Sequence, residues 1–210
     1  MGLGLSVSDT AVDCLSEIPM RRASFLLLAS AVILASGGLR PPLAKGEDKP
    51  VVVKLTRLSA TAPADWKNEK PANLLRKYQF KLPGAKDHPA AELTIMGESL
   101  PGAEKNFPKW KATFVQPEGK TIDDVAKTAK WDVPNATVAV LDISGTWKYK
   151  EKPLDKKETL LDDWRVIWVI VEEKNDKGEL LEAYHFRLSG PSVTMEEQAP
   201  KFEKWVKSLK

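Results

Sequence analysis

The sequence predicts an α+β sandwich: an antiparallel sheet of about six strands with an early helix and a C-terminal helix. Three observations carry this expectation. Several segments alternate apolar and polar residues with period two, as half-buried strands do. Residues 164–171 are apolar on both faces, the pattern of a strand covered on both sides of its sheet. Two further segments, one mid-chain and one at the end, repeat their aromatics at helical spacing.

The 210-residue chain opens with an address. Met20-Arg21-Arg22 precedes an apolar run over 25–35, which exits through the small residues Ser36, Gly37 and Gly38. A basic start, a short apolar run and a small-residue exit are the three parts of an export signal. The run falls short of the ~20 residues that span a bilayer. Residues 1–44 are therefore expected to be an export signal. Asp9, Asp13 and Glu17 make a poor signal start, so Met20 is the expected first residue. The paired arginines hint at twin-arginine export, but Ser24 moves Phe25 one place from the usual spacing and favours the ordinary route. Processing would remove Cys14, the single cysteine, and leave a mature chain with no thiol or disulfide chemistry. The expected location is extracytoplasmic, periplasmic or secreted, without stable membrane insertion after cleavage.

Residues 45–50 read as a polar linker and 51–210 as one domain. The β-branched run at 51–58 predicts a strand. Strict alternation at 77–82 puts Tyr78, Phe80 and Leu82 on one face. Ala91, Leu93 and Ile95 alternate with Glu92, Thr94 and Met96 in a third strand. Ala103, Phe107, Trp110 and Phe114 form a helical stripe; Pro108 suits a first turn, which makes Asn106 the expected N-cap. A short helix is expected over 121–130. In the strand over 137–148, Leu141, Ile143 and Trp147 oppose Val140, Asp142 and Ser144, and Gly145 suggests a bulge. Residues 151–163 read as a charge-dense loop. Asn175-Asp176-Lys177-Gly178 reads as a hairpin loop between 164–171 and 181–189. In the last strand Tyr184, Phe186 and Leu188 lie opposite Ala183, His185 and Arg187. Gly190-Pro191 turns into a final helix striped by Phe202, Trp205, Val206 and Leu209; Pro200 suits its first turn, with a rival capping box at Thr194 and Glu197.

The succession of short motifs forms a pattern. Ala62-Pro63-Ala64-Asp65-Trp66 is followed by 75–83, then 91–95, then Asn106-Phe107-Pro108-Lys109-Trp110. Ile143-Ser144-Gly145-Thr146-Trp147 and Phe186-Arg187-Leu188-Ser189-Gly190-Pro191 come later, before Phe202 and Ser208. This series resembles a group of uncharacterised secreted bacterial proteins whose fold is similar to the PsbP family, the extrinsic subunits of photosystem II. The resemblance covers nearly all of 58–210 and implies an α-β-α sandwich around an antiparallel sheet. It also implies a role as an assembly, docking or accessory subunit, without photosystem function, since no oxygen-evolving site residues match this chain.

Composition narrows the chemistry. Lys and Arg total 32 against 29 Asp and Glu, a net +3 that supplies no field for nucleic acid. One Cys and two His argue against zinc fingers, iron–sulfur clusters and disulfide scaffolds, so no metal or cofactor is expected. The candidate binding residues are Trp131, Lys148, Lys150, His185 and Arg187. Trp131 lies outside the clear elements and reads as an exposed contact; Lys148 and Lys150 begin the most basic local segment. His185 beside Arg187 on a strand face can act as an anion-binding pair or a general base. The sequence thus points to a monomeric, non-catalytic, exported binding or accessory domain for an envelope protein or ligand. The alternative is a small-ligand carrier or weak hydrolase using the sheet face with His185 and Arg187. A helix packed tightly over that face, leaving no cavity, would remove its site.

Overall fold

The alternation of apolar and polar residues builds a sheet with two different faces. In a computed structural model of the chain, residues 50–97, 102–151 and 156–210 are described, without the side chains of Ala103 and Glu104. They belong to the unit Gly46–Lys210. The expected export signal and most of the expected linker lie outside the described residues, as do Lys152 and Asp155 of the charge-dense loop.

The main sheet has seven antiparallel strands in the order β3-β4-β5-β9-β8-β7-β6. They are β3 (Lys67–Glu69), β4 (Arg76–Leu82), β5 (Ala91–Met96), β6 (Lys127–Val133), β7 (Ala136–Tyr149), β8 (Thr159–Lys174) and β9 (Leu180–Pro191). A separate hairpin pairs β1 (Val52–Lys54) with β2 (Ser59–Thr61). The helices are α1 (Ala103–Lys111), α2 (Ile122–Val125) and α3 (Ser192–Val206). The architecture is mixed α+β, with seven strands in the sheet where about six were expected.

One face carries Phe80, Leu93, Ile95, Ile167, Val169, Tyr184 and Phe186, packed against Met195, Phe202 and Trp205 of α3 and against Val53 and Ala60 of the β1–β2 hairpin. The other carries Leu141, Ile143, Val166 and Trp168, packed with Phe107 and Trp110 of α1 and Ile122 of α2. The strand apolar on both faces is β8, which contributes residues to both clusters.

Two adjacent glutamates at the end of β8 clasp the two covers. Neighbouring strand residues point to opposite faces. Glu173 is fully buried; its carboxylate accepts the backbone N–H groups of Thr56, Arg57 and Leu58 at 3.0, 3.1 and 2.7 Å. Glu172 accepts the N–H of Gly102, the N-cap of α1, at 2.6 Å.

The clasps account for two departures from the sequence reading. The expected strand at 51–58 is a hairpin whose turn is held by Glu173. The early helix starts at Ala103 and not after Asn106, whose side chain instead donates to the Gly102 carbonyl at 3.3 Å. Pro108 therefore lies inside a helix of about two and a half turns. Pro200 likewise lies inside α3, which begins at Ser192 directly after Pro191. Thr194 forms no capping box: its hydroxyl donates to the Pro89 carbonyl and accepts the Ala85 N–H. Burial of Met195, Phe202, Trp205 and Val206 offsets the backbone bond that Pro200 cannot make. Within 121–130 only Ile122–Val125 is helical, capped by reciprocal bonds of Thr121 and Asp124; the chain then pairs with β7 as β6. The charge-dense segment is part strand, since β8 begins at Thr159.

Candidate functional site

The second face is apolar under α1 and polar beyond it. Register lines up Thr94 of β5 with Arg187 of β9, and Arg187 with Trp168 of β8. One pleat further along the strands, Met96 faces His185. Four of the expected binding residues, Lys148, Lys150, His185 and Arg187, line one cavity of about 450 Å³ on this face. Its walls include Trp110 of α1, Trp147 of β7 and Leu75 ahead of β4. The helix over this face thus leaves room.

The gathering of Lys148 and Arg187 needs explanation, because β7 is two strands from β9, ~10 Å in a flat sheet. Leu141 is the β7 residue in line with Trp168 and Arg187, and Trp147 lies six residues beyond it, ~20 Å along an extended strand. Yet the Arg187 guanidinium carbon sits 5.6 Å from the Trp147 ring centroid. The end of the β7–β8 hairpin must fold back over the face. A bulge does this: pairing skips from Gly145↔Trp164 to Trp147↔Leu161, so Thr146 opposes both Asp162 and Asp163. Gly145 has φ 151° and Asp163 φ 51°. The Thr146 hydroxyl donates to Asp162 at 2.7 Å. The bent end is fixed by the segment after α1, through Val115 N–H to Thr146 O at 2.9 Å and Lys148 N–H to Thr113 O at 2.7 Å. The bulge suggested by Gly145 is present, and it sets the site.

Arg187 Nη2 donates to Glu92 Oε1 at 3.3 Å, and Arg76 Nη1 donates to the same oxygen at 3.4 Å. Burial pulls the Arg187 pKa below its ordinary value, and the Glu92 charge opposes that shift. Trp110 lies parallel to Trp168 at 5.5 Å and stacks on His185 at 4.6 Å. Burial first, and the neighbouring Arg187 charge second, push the His185 pKa down to about 3, so the imidazole is neutral near neutrality. Lys150 pairs with Glu158 at 3.2 Å. Among the described residues, six buried side-chain nitrogen or oxygen atoms lack a hydrogen-bond partner; three of them, Thr94 Oγ1, His185 Nε2 and Arg187 Nε, belong to residues lining this cavity.

Trp131 lies elsewhere, and its sequence reading is corrected. It is part of β6, half-buried on the opposite face, edge-on to Phe202 at 6.0 Å with the Lys207 ammonium 6.0 Å from its ring. Pairing of 127–133 with β7 brought it into the sheet. Sequence reasoning missed Thr94, Arg76 and Trp110 as lining residues. The period-two pattern put Thr94 opposite the core side of β5, but only the β5–β9 register places it against Arg187. Among the described residues, no group of three or more His, Cys, Asp or Glu is placed to hold a metal ion, and no helix is long and apolar enough to cross a membrane.

No protein-family model matches the chain, and no curated protein matches it.

Proposed function

We propose that the domain is a non-catalytic binding module whose ligand enters the cavity between α1, β9 and the folded-back end of the β7–β8 hairpin. The observation that carries this reading is one cavity walled by tryptophans whose lining residues include Thr94, His185 and Arg187, each with a buried polar atom that lacks a partner. A buried polar group without a partner costs about 1–3 kcal/mol, a cost that a ligand with matching groups relieves. A concave site that combines aromatic walls with polar side chains fixing the orientation of a ligand is the usual form of a small-molecule site. Binding is favoured over hydrolysis because an imidazole of pKa about 3 is too weak a base to take a proton near neutrality.

The export signal read at residues 1–44 supports an extracytoplasmic place for the module. The motif order supports a PsbP-like form of the sandwich, and with it an accessory rather than enzymatic role. The ligand site then replaces Trp131 as the working surface of the domain.

A thermal-shift screen with a library of small anionic, neutral and cationic compounds tests the reading. Compounds that raise the Tm of the wild-type domain should lose their effect in Arg187→Met and keep it in Trp131→Ala. Stabilisation that survives Arg187→Met unchanged, or none from any compound, would remove the cavity as the binding site.

A further inference from the structure

We propose that the ligand is an organic monocarboxylate with an apolar body; this rests on the binding reading above. Charge gives the sign. Five cationic side chains line the cavity against two carboxylates, one of which, Glu158, already pairs with Lys150. Lys109 and Lys148, both at the cavity, have no ion-pair partner among the described residues. Charge also gives the number. At the buried end, Arg76 and Arg187 share the single carboxylate of Glu92, which leaves one positive charge in excess. One anionic group balances it at that end.

Donor geometry gives the group. Thr94 is fully buried and its hydroxyl is unpartnered. Arg187 Nε–H is unpartnered as well, while Nη2 of the same guanidinium is committed to Glu92. Thr94 and Arg187 are direct register partners on adjacent strands. Both residues line the cavity, and a carboxylate that reached their two donors would satisfy both with its two oxygens. The apolar body follows from Trp110, Trp147 and Met96 in the walls and from Leu75 at the mouth, 71% exposed. A volume of about 450 Å³ lies within the ~300–1,000 Å³ range of small-molecule sites.

Calorimetric titration of the intact domain with 2-naphthoate, 2-naphthamide, acetate and 2-naphthyl phosphate tests the assignment. The naphthoate should bind, and its neutral amide about tenfold or more weakly, the usual loss when a charge-assisted bond is replaced. Acetate should bind too weakly to measure. Arg187→Met should weaken naphthoate about tenfold or more. Thr94→Val, which keeps the side-chain shape, should weaken it several-fold in a domain of unchanged circular dichroism. Equal binding of the amide overturns the anion, and tighter binding of the aryl phosphate overturns the single charge. If naphthoate fails while compounds from the screen still bind through Arg187, the ligand class is wrong and the binding reading stands. If both fail, the cavity is not a binding site.

Discussion

Thr94 shows how one side chain can be poor for stability and useful for binding. Its hydroxyl is buried without a partner, so Thr94→Val should leave the ligand-free domain as stable or raise it by about 1 kcal/mol, a Tm gain of ~2–4 °C at this size. A marked fall in Tm on that change would show that the hydroxyl is bonded in the folded domain. His185 carries the opposite kind of cost. Its folded pKa of about 3 lies below the ordinary 6.5, so between these values the unfolded chain holds more protons. Its contribution is complete above 6.5 and is lost as the pH falls toward 3. The stability advantage of the wild type over His185→Gln should therefore shrink between about pH 7.5 and about pH 4.5, as read by urea unfolding. A pH-independent difference would mean that His185 accepts a proton in the folded domain. Sequence alternation alone paired His185 with Arg187 on the polar side of their strand. It could not show that Trp110 stacks on the imidazole, because that contact joins residues 75 positions apart.

At the scale of elements, β8 organises the fold through its last two glutamates and its bulge. Glu173→Ala should cost about 3 kcal/mol or more, since it strands three backbone N–H groups in the β1–β2 turn. Hydrogen exchange should speed up at 56–58 in that variant; unchanged protection there would refute the clasp. Gly145→Val tests the bulge. A Cβ at Gly145 would meet Phe114 at an ordinary 3.7 Å, so the penalty is conformational, about 1–3 kcal/mol for a φ of 151°. Because the bulge brings Trp147 over Arg187, this variant should also lose ligand binding. The strand faces were legible in the sequence because period two is a local signal, and Gly145 was legible because glycine in a strand marks irregular backbone. The helix starts were not. Both proline rules describe an isolated helix, whereas the start of α1 is held by Glu172, 70 positions away in sequence, and α3 is held by its buried face.

The molecule as a whole is one sheet with two unequal covers. The α3 side holds the larger buried cluster and adds side-chain bonds from Gln198 to Pro83 O and from Trp205 to Thr61 O, at 3.0 and 3.1 Å. The α1 side holds fewer buried residues and a cavity. Amides of α1 should therefore exchange faster than those of α3, and ligand should slow α1 selectively, since ligand sites are drawn from the less stable end of a structure. Equal protection of the two helices would contradict this ordering. The sequence showed that a sandwich would form because the apolar faces required cover. It did not show which cover would be incomplete, since that depends on the fold-back of the β7–β8 hairpin. Glu172 and Glu173 also govern where the chain can change in length. Loss of one residue between Trp164 and Glu172 would exchange the side chains that β8 presents to the two covers and seat Lys174 where three N–H groups converge on a carboxylate. The 175–178 turn is tied to the covers more lightly, through the exposed Arg57–Asp176 ion pair at 3.0 Å. Insertions and deletions in natural variants of this chain should collect at that turn and spare the stretch before it.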